Sequence, residues 1–573
     1  MGLKVVQVTP DQVDAETKVV SSQTSGAPCF FQALLERCAI LEVISGKIVN
    51  PDEQFKIVRN LSGYLSELRV QCAVIEEDYV DRDYLDDYGR YYSRCDAEYK
   101  RRCCRIHFFS KTYEEKDIIN VVSKSDGKER AGEFADFAET YLGFVVIRPL
   151  STAIVGRTCL KPYPQEDAEQ KDTGRRYRAL TDVRVSFFGR ELVVRCMPFL
   201  QQDSTTAACA SCALWSAFMV TAQLFRHKLY CPGCITALAT EHGMYEGLSF
   251  PNGGLWNRDL TYATRAVGLE PLWLGGDMGY EEVDLSPNPH ELFGYIYAYS
   301  NVGLPIILTG FMVDGKGCRG GHAVTINGYH LGDGSGREGR FVSDRIDKIY
   351  VHDDQVGPGA RVTLDRATGK WISDWVDFDS PRDSKGRFCK MEMRNLALMI
   401  PVYPKMRVCY DMVVGQVEKM KQAVDMVAHP ENIPDGEMKK GLLDLHDQLR
   451  KWGVNIDEQR SLCDQLEWDI RLQTCDAFKT WIRNDSDMAA SGKQMDYLAK
   501  SYPKYVWDIG LLINGKPEMR FVVDATDSGL GLRVLDVIRS MRQIRPIWWI
   551  IMNVPDSDFR DIPMLMELKK SIT

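Results

Sequence analysis

The sequence lacks any long apolar run. A membrane-spanning helix needs about 18 or more consecutive apolar residues, and the longest candidates, Gly303–Val313 and Ile547–Val554, are much shorter. We therefore expect no membrane segment. The start of the chain has no apolar stretch behind a basic beginning, so it shows no export signal, and we expect a cytoplasmic protein.

The sequence also has no excess of basic over acidic residues. The 573 residues include 80 Asp and Glu against 71 Lys and Arg, a formal net charge of −9. Such a chain has no general attraction for phosphate backbones or anionic lipid. We therefore expect no nucleic-acid or membrane partner. Internal repeats, heptad runs and low-complexity tracts are absent as well.

The chain is too long for one hydrophobic core, and its patterning changes twice. We predict a mainly helical N-terminal domain over residues 1–140, a central α+β domain over 141–405 and a C-terminal mixed α/β domain over 406–573. Apolar residues recur at helical spacing from Phe30 to about Ile75. Strand patterns begin near Tyr141, and residues 183–194 have the pattern of a hairpin.

In the C-terminal region we make four predictions. They are helices over Glu437–Trp452 and Glu458–Trp481, a hairpin that turns at Asn514-Gly515, and a strand over Ile547–Met552.

The chemistry that the sequence suggests centres on cysteine. Seventeen cysteines are a modest number for this length, and without an export signal most should be reduced, buried thiols. Cys209 is different, because a Ser/Thr cluster with Thr205 or Thr206 as helix cap precedes it and an Ala-rich apolar helix follows it. The positive end of a helix stabilises a thiolate, which is the nucleophilic form. Gln202, or its neighbour Gln201, is a candidate donor to an oxyanion.

A thiolate nucleophile needs a base, and His322 is the best candidate. It follows Gly320-Gly321 at the start of a predicted strand, and residues 304–308 are predicted to pair with that strand as a hairpin. A third residue should orient the imidazole. Residues 348–353 form a predicted strand that ends in Asp353 and Asp354, and alternation places only one of these aspartates towards the histidine. We choose Asp353 by strand register, with Asp354 as the alternative.

The order Cys, His, Asp, with the nucleophile on a helix and its partners on strands, resembles the papain-like cysteine peptidases. The closest kind is the bacteriocin double-glycine leader peptidase, whose motif of glutamine and an acidic residue before Cys, two small residues and Ala-Ala-Leu maps onto 202–214 here. Gly-Gly-His-Ala-Val at 320–324 and Asp353 extend the resemblance, which covers about 200–360 only. It implies a nucleophile helix packed on an antiparallel sheet, with Gln202 at the oxyanion.

Two alternatives concern the same cysteines. Cys209-Ala210-Ser211-Cys212 is similar to the Cys-Gly-Ser-Cys of papain, which would make Cys212 the nucleophile. The pairs Cys209/Cys212 and Cys231/Cys234 also have the spacing of a four-cysteine zinc site, which would indicate a zinc-binding interaction protein.

We expect a cysteine protease that forms a thioester intermediate and needs no cofactor or metal. Its substrate is a protein or peptide, and a regulatory partner is expected at the flanking domains. A transglutaminase or deamidase with the same triad is the enzymatic alternative. Regulated bacterial proteases, including ones in phage defence, have comparable arrangements, but this is an analogy at the level of fold.

Overall fold

The computed structural model describes residues 4–7, 31, 51–96, 98–123, 128–150, 153–165, 174–203, 205–206, 208–241, 254–275, 286–314, 317–334, 340–377, 389–527, 531–539, 542–556 and 560–570. It is an α+β structure with several antiparallel sheets. In the described part of the chain, no helix combines the length and apolar character that crossing a membrane requires.

The described helices are α1 (Pro51–Glu67), α2 (Arg82–Arg90), α3 (Glu115–Ser123), α4 (Lys128–Glu139), α5 (Cys209–Phe225), α6 (Pro232–Thr240), α7 (Asn257–Ala266), α8 (Pro289–Asn301), α9 (Tyr410–Ala428), α10 (Glu437–Lys451), α11 (Ile456–Asp464), α12 (Cys475–Asn484), α13 (Ser486–Ala490), α14 (Gln494–Ala499), α15 (Arg545–Asn553) and α16 (Pro563–Lys570). Short 3₁₀ helices lie at Tyr92–Arg94, Val342–Arg345 and Pro430–Asn432.

The described strands are β1 (Lys4–Gln7), β2 (Cys72–Tyr79), β3 (Cys103–Phe109), β4 (Tyr141–Ile147), β5 (Val155–Leu160), β6 (Gly174–Arg176), β7 (Thr181–Phe187), β8 (Arg190–Cys196), β9 (Glu270–Leu274), β10 (Ile306–Asp314), β11 (Gly317–Leu331), β12 (Ile346–Asp353), β13 (Gly357–Asp365), β14 (Lys370–Asp377), β15 (Cys389–Val402), β16 (Leu466–Thr474), β17 (Tyr505–Ile513), β18 (Lys516–Asp524) and β19 (Val534–Arg539).

The chain forms two compact units that do not follow the predicted domains. The first comprises Met1–Pro287, Gly303–Leu331 and Asp347–Val402, and the second comprises Asn288–Val302, Gly332–Ile346 and Tyr403–Thr573. The first unit begins with a five-stranded antiparallel sheet in the order β1-β2-β3-β4-β5. The boundary predicted at 140/141 therefore falls inside a sheet, between its paired strands β3 and β4.

The described part of residues 1–140 holds the four helices α1 to α4 and also the three strands β1 to β3. Strand β3 is buried along its whole length on both faces. Its sequence, Cys-Cys-Arg-Ile-His-Phe-Phe, places Arg105 and His107 between apolar residues, so burial on both faces is not visible in the hydrophobic pattern. Cys72, which fits the helical spacing of the preceding segment, is the first residue of β2. The hairpin predicted over 183–194 is confirmed by the pairing of β7 with β8.

A six-stranded barrel forms the rest of the sheet structure in the first unit. Strands β10 to β15 pair in chain order, and β10 also pairs with β15, which closes the barrel. Strand β9 adds to β15, and β6 adds to β11. The hairpin predicted for residues 304–308 is confirmed, since Ile306 pairs with Ile326 across β10 and β11. Helix α5 packs on this hairpin through an apolar cluster that includes Ala213, Ile307 and Ala323.

The second unit contains a four-stranded antiparallel sheet, β16-β17-β18-β19. Its Asn514-Gly515 turn is confirmed, with φ values of 50° and 72° that fit the turn of a two-residue hairpin. The helix predicted over Glu437–Trp452 is confirmed as α10. The single helix predicted over Glu458–Trp481 is wrong, because β16 interrupts it. The strand predicted over Ile547–Met552 is also wrong, because these residues lie in α15.

Candidate active site

Cys209 is the first residue of α5, and the segment before it is held by Asp203. The Asp203 carboxylate accepts the backbone N–H groups of Thr205 and Thr206 at 2.9 and 2.8 Å. It also accepts the hydroxyl of Tyr92 at 2.7 Å. The helix cap is Ala208, without a side-chain hydrogen bond, so the prediction that Thr205 or Thr206 caps the helix is wrong. Asp203 fixes the Ser/Thr turn that leads into the helix.

The helix start gives Cys209 a favourable electrostatic position. Hydrogen bonding within α5 begins with the N–H of Cys212, which donates to the Ala208 carbonyl. The earlier N–H groups of a helix have no partner inside the helix, and they carry its positive end. Cys209 is partly exposed and packs against the apolar cluster beneath α5. A buried hydrogen bond from the Thr325 hydroxyl to the Ala213 carbonyl, 2.8 Å long, fixes α5 on β11.

His322 lies on β11, opposite Gly310 of β10. The strand begins at Gly317, so the histidine lies within it and not at its start. Any side chain at position 310 would meet the Arg394 carbonyl at 2.8 Å, which explains the need for glycine there. The His322 ring is buried and lies 5.0 Å from the Trp375 ring at 73°. No local pattern in the sequence pointed to Trp375, because only the closure of the barrel brings β14 to this place.

The imidazole of His322 connects the cysteine to the aspartate. Its Nε2 lies 3.2 Å from Asp353 Oδ1, with an alignment that suits an ion pair better than a hydrogen bond. Cys209 lies close enough to the same ring to raise its pKa. Because an imidazole has two nitrogens and Nε2 faces the carboxylate, Nδ1 is the nitrogen left for the thiol. The structure thus brings together the three residues that the sequence singled out.

Asp353 is the last residue of β12, as predicted, and its position is fixed. Its Oδ1 accepts the backbone N–H groups of Gln355 and Val356 at 2.9 and 3.2 Å. Burial alone would raise the pKa of Asp353, but His322 and these two N–H groups hold the pKa below its usual range. The neighbouring His352 faces away from the site and bonds the Met197 carbonyl.

Asp354 also lies at the histidine, contrary to the expectation that only one of the two aspartates does so. Ligand atoms of His322, Asp353 and Asp354 all lie within 4.8 Å of one another. The strand ends at Asp353, so the alternation of a strand no longer governs the next residue. Asp354 Oδ1 is buried without a hydrogen-bond partner. Burial, opposed by His322 and reinforced by Asp353, raises the pKa of Asp354 to about 7.

The charges at the site favour a protonated imidazole. Burial on its own lowers the pKa of His322, but the Asp353 carboxylate outweighs it, and Cys209 and Asp354 add to the effect. The pKa of His322 is therefore raised well above its usual value of 6.5. An imidazolium beside a thiol favours the thiolate.

Cys212 does not share these properties. It is almost fully buried, and burial, with Asp354 and Asp203 adding to it, raises the pKa of its thiol well above the usual value. A thiol in such surroundings is a poor nucleophile. The structure therefore favours Cys209 over Cys212 for any reaction that requires a thiolate.

The four-cysteine zinc site is not formed in the described part of the chain. Cys231 and Cys234 meet, with their sulfurs 2.7 Å apart. The only described group of three or more potential ligands, however, is His322 with the two aspartates. The equal spacing of the two Cys-x-x-Cys pairs does not bring them together, because Cys209 faces the histidine and Cys212 lies in the core under α5.

The two glutamines before the cysteine have different environments. Gln201 is buried, and its side-chain oxygen accepts the N–H of Val155 at 2.9 Å, so it has a structural partner. Gln202 is partly exposed on the segment that Asp203 holds. Its assignment to an oxyanion stays a prediction.

Comparison with known proteins finds no family model that matches the sequence and no curated protein with significant similarity to it. Support for a function therefore comes from the residues of the site themselves.

Proposed function

We propose that the chain is a papain-like cysteine protease with Cys209 as nucleophile, His322 as general acid and base, and Asp353 as the residue that orients His322. One observation carries this proposal: the imidazole contacts both the thiol at the start of α5 and a buried carboxylate. A nucleophile, a base and an orienting group in one line is the arrangement that acyl transfer by a thiol needs.

In the proposed mechanism, the Cys209 thiolate attacks the carbonyl carbon of a peptide or isopeptide bond. The N–H groups at the start of α5, and the Gln202 amide, would donate to the oxyanion that forms. The His322 imidazolium then gives its proton to the leaving amine, which leaves a thioester on Cys209. Neutral His322 next takes a proton from water, and the hydroxide attacks the thioester to release the acid. Asp353 keeps the imidazole in place and stabilises its charged form.

Two further features support a role for the buried site in this chemistry. The ring of Trp375 lies against His322 and shields the ion pair from solvent, which strengthens the pair. The barrel supplies His322 and Asp353 from strands β11 and β12 of one closed sheet, so their separation is fixed by the fold. The transglutaminase and deamidase alternatives use the same first step and differ only in what attacks the thioester.

The test is alkylation of the purified protein by iodoacetamide at pH 6, with peptide-level mass spectrometry to locate the label. We expect fast labelling of Cys209 that a His322→Ala variant loses, by about a factor of 100 or more. A Cys212→Ser variant is the matched control and should keep the fast reaction. Equal labelling of Cys209 in the parent and in His322→Ala would contradict the proposal.

Peptidase activity is tested separately with a mixed peptide library. Cleavage products that disappear in Cys209→Ser support hydrolysis. Release of ammonia from glutamine-containing peptides without cleavage, or incorporation of an added primary amine, would replace the protease proposal with the deamidase or transglutaminase alternative.

A further inference from the structure

A second pair of cysteines lies at the start of α6. Cys231 is the helix cap, Pro232 follows it in the first turn, and the N–H of Cys234 donates to Cys231 Sγ at 3.2 Å. The two sulfurs are 2.7 Å apart, so a short movement brings them to the bond length of a disulfide, about 2.05 Å. Cys231 is buried, whereas Cys234 is partly exposed. The pair thus has one sulfur that a reactant can reach and one behind it.

Two residues of α2 complete the surroundings of this pair. Asp87 is buried, accepts the N–H of Gly233 at 3.0 Å and lies beside Cys231. A Cβ atom at position 233 would lie 2.7 Å from Asp87 Oδ1, so the approach of this carboxyl requires a glycine between the cysteines. The Arg90 guanidinium lies close enough to both sulfurs for the charges to act on one another. An acid therefore lies beside the buried thiol, and a cation lies beside both.

These surroundings give the two thiols different pKa values, so that Cys231 keeps its proton and Cys234 loses its own more easily. The hydrogen bond from Cys231, helped by Arg90 and opposed by burial, lowers the pKa of Cys234 to about 6. The same hydrogen bond and burial raise the pKa of Cys231. Burial, with Asp203 adding to it, raises the pKa of Asp87 well above its usual range. The accessible sulfur is the one that carries the charge.

We propose that Cys231 and Cys234 form a redox-active dithiol that exchanges with the disulfide of a small thiol or of a protein. The Cys234 thiolate attacks one sulfur of the incoming disulfide, which forms a mixed disulfide and releases the first thiolate. That thiolate takes a proton from solvent. Cys231 then attacks the Cys234 sulfur, and its proton passes to the second departing thiolate, directly or through the Asp87 carboxyl. The two cysteines lose two electrons, and the incoming disulfide is reduced to two thiols.

The pair Cys209/Cys212 shows that spacing alone does not produce this site. It has the same Cys-x-x-Cys spacing at the start of a helix, yet Cys209 lies beside a histidine and Cys212 lies in the core. None of the residues that the redox proposal uses belongs to the proposed protease triad. The two proposals therefore stand or fall separately.

The test uses the full-length protein and the glutathione couple as probe. One tryptic peptide, residues 229–258, contains both cysteines and no other. After incubation with oxidised glutathione and alkylation of the remaining thiols, we expect this peptide to have lost two hydrogen atoms and to regain them with dithiothreitol. The Cys209/Cys212 pair, in the peptide of residues 196–226, is the internal control and should form no internal disulfide.

Variants identify the attacking and resolving sulfurs. Cys231→Ser should hold glutathione at Cys234 as a lasting mixed disulfide, whereas Cys234→Ser should hold none at Cys231. Arg90→Gln should move the pH dependence of mixed-disulfide formation to higher pH, and Arg90→Lys should restore it in part. The proposal is overturned if the 229–258 peptide stays fully reduced in the parent protein while exposed Cys389 takes up glutathione, or if Cys231 and Cys234 variants behave alike.

Discussion

Replacing Asp353 by Asn tests the ion pair while it preserves the local turn. The Asn side chain keeps an oxygen that can accept the N–H groups of Gln355 and Val356, so the change removes charge with little change of shape. At 3.2 Å from His322 Nε2, two unit charges in an effective dielectric of about 20 interact by about 5 kcal/mol. This energy corresponds to a factor of roughly 10³ to 10⁴ in the equilibrium constant for protonation of His322.

The neighbouring Asp354 should make the loss of His322 protonation in Asp353→Asn smaller than this. Asp353 contributes to the raised pKa of Asp354, so its removal lets Asp354 ionise and replace part of the lost field. We therefore expect alkylation of Cys209 at pH 6 to slow by roughly ten- to a hundredfold in Asp353→Asn. The double variant, with Asp353→Asn and Asp354→Asn, should lose the remaining enhancement of the alkylation rate at pH 6. In both, the rate should rise with pH as an ordinary thiol ionises, near pH 8.5, whereas the parent rate should vary less with pH because His322 lies beside the thiol.

The assay is the rate of iodoacetamide labelling at Cys209 across pH, followed by mass spectrometry. Asp354→Asn alone is the matched control and should change the profile only near pH 7, where Asp354 titrates. Fast labelling at pH 6 that survives Asp353→Asn but is lost in Asp354→Asn would assign the orienting role to Asp354. Profiles that are the same in all variants would refute the ion-pair reasoning.

Three further predictions concern stability. The His322 pair with Asp353 stabilises the fold most between pH 3.8 and 6.5, the usual pKa values of Asp and His. The lowered pKa of Asp353 adds stability above pH 3.8, and the raised pKa of His322 adds stability below pH 6.5. Asp353→Asn should therefore lower the melting temperature more at pH 6 than at pH 10, and an equal loss would contradict this. Thr325→Val should lower the free energy of unfolding by about 1–3 kcal/mol, because it removes the hydroxyl that donates to the buried Ala213 carbonyl. Urea unfolding measures this, and an unchanged midpoint would count against that contact. Tyr92→Phe should cost about 1.5–3 kcal/mol by the same assay, because it removes a donor to the Asp203 carboxylate, and a neutral result would show that Asp203 does not depend on it.

The sequence predicted best where a local rule is strong. The turn at Asn514-Gly515 follows from the need for two positive φ values, which these residues meet at low cost. The hairpin of β10 and β11 follows from two apolar runs separated by glycines. The triad residues could be named because helix start, strand and strand end each have their own local signature.

The failures have two physical causes: burial on all sides removes periodicity in one segment, and helical spacing in the flanking residues hides a strand period in another. The apolar run Ile547–Met552 fits a strand or a buried helix equally, and Pro546 in the first turn was the available sign of a helix. In β16, alternate residues Leu466, Trp468, Ile470 and Leu472 are buried, a strand period that helical spacing in the flanking residues obscured. The position of Trp375 depends on barrel closure, which no local pattern encodes, and that of Asp354 depends on the residue at which β12 ends.

The central claim is that His322 activates Cys209, and one comparison tests it most directly. At pH 6, the labelling rates of Cys209 and exposed Cys389 are measured in the same digest, in the parent protein and in His322→Ala. We predict that Cys209 reacts far faster than Cys389 in the parent and that the difference disappears in the variant. A Cys209 that reacts no faster than Cys389 in the parent, or equally fast without the histidine, would contradict the account.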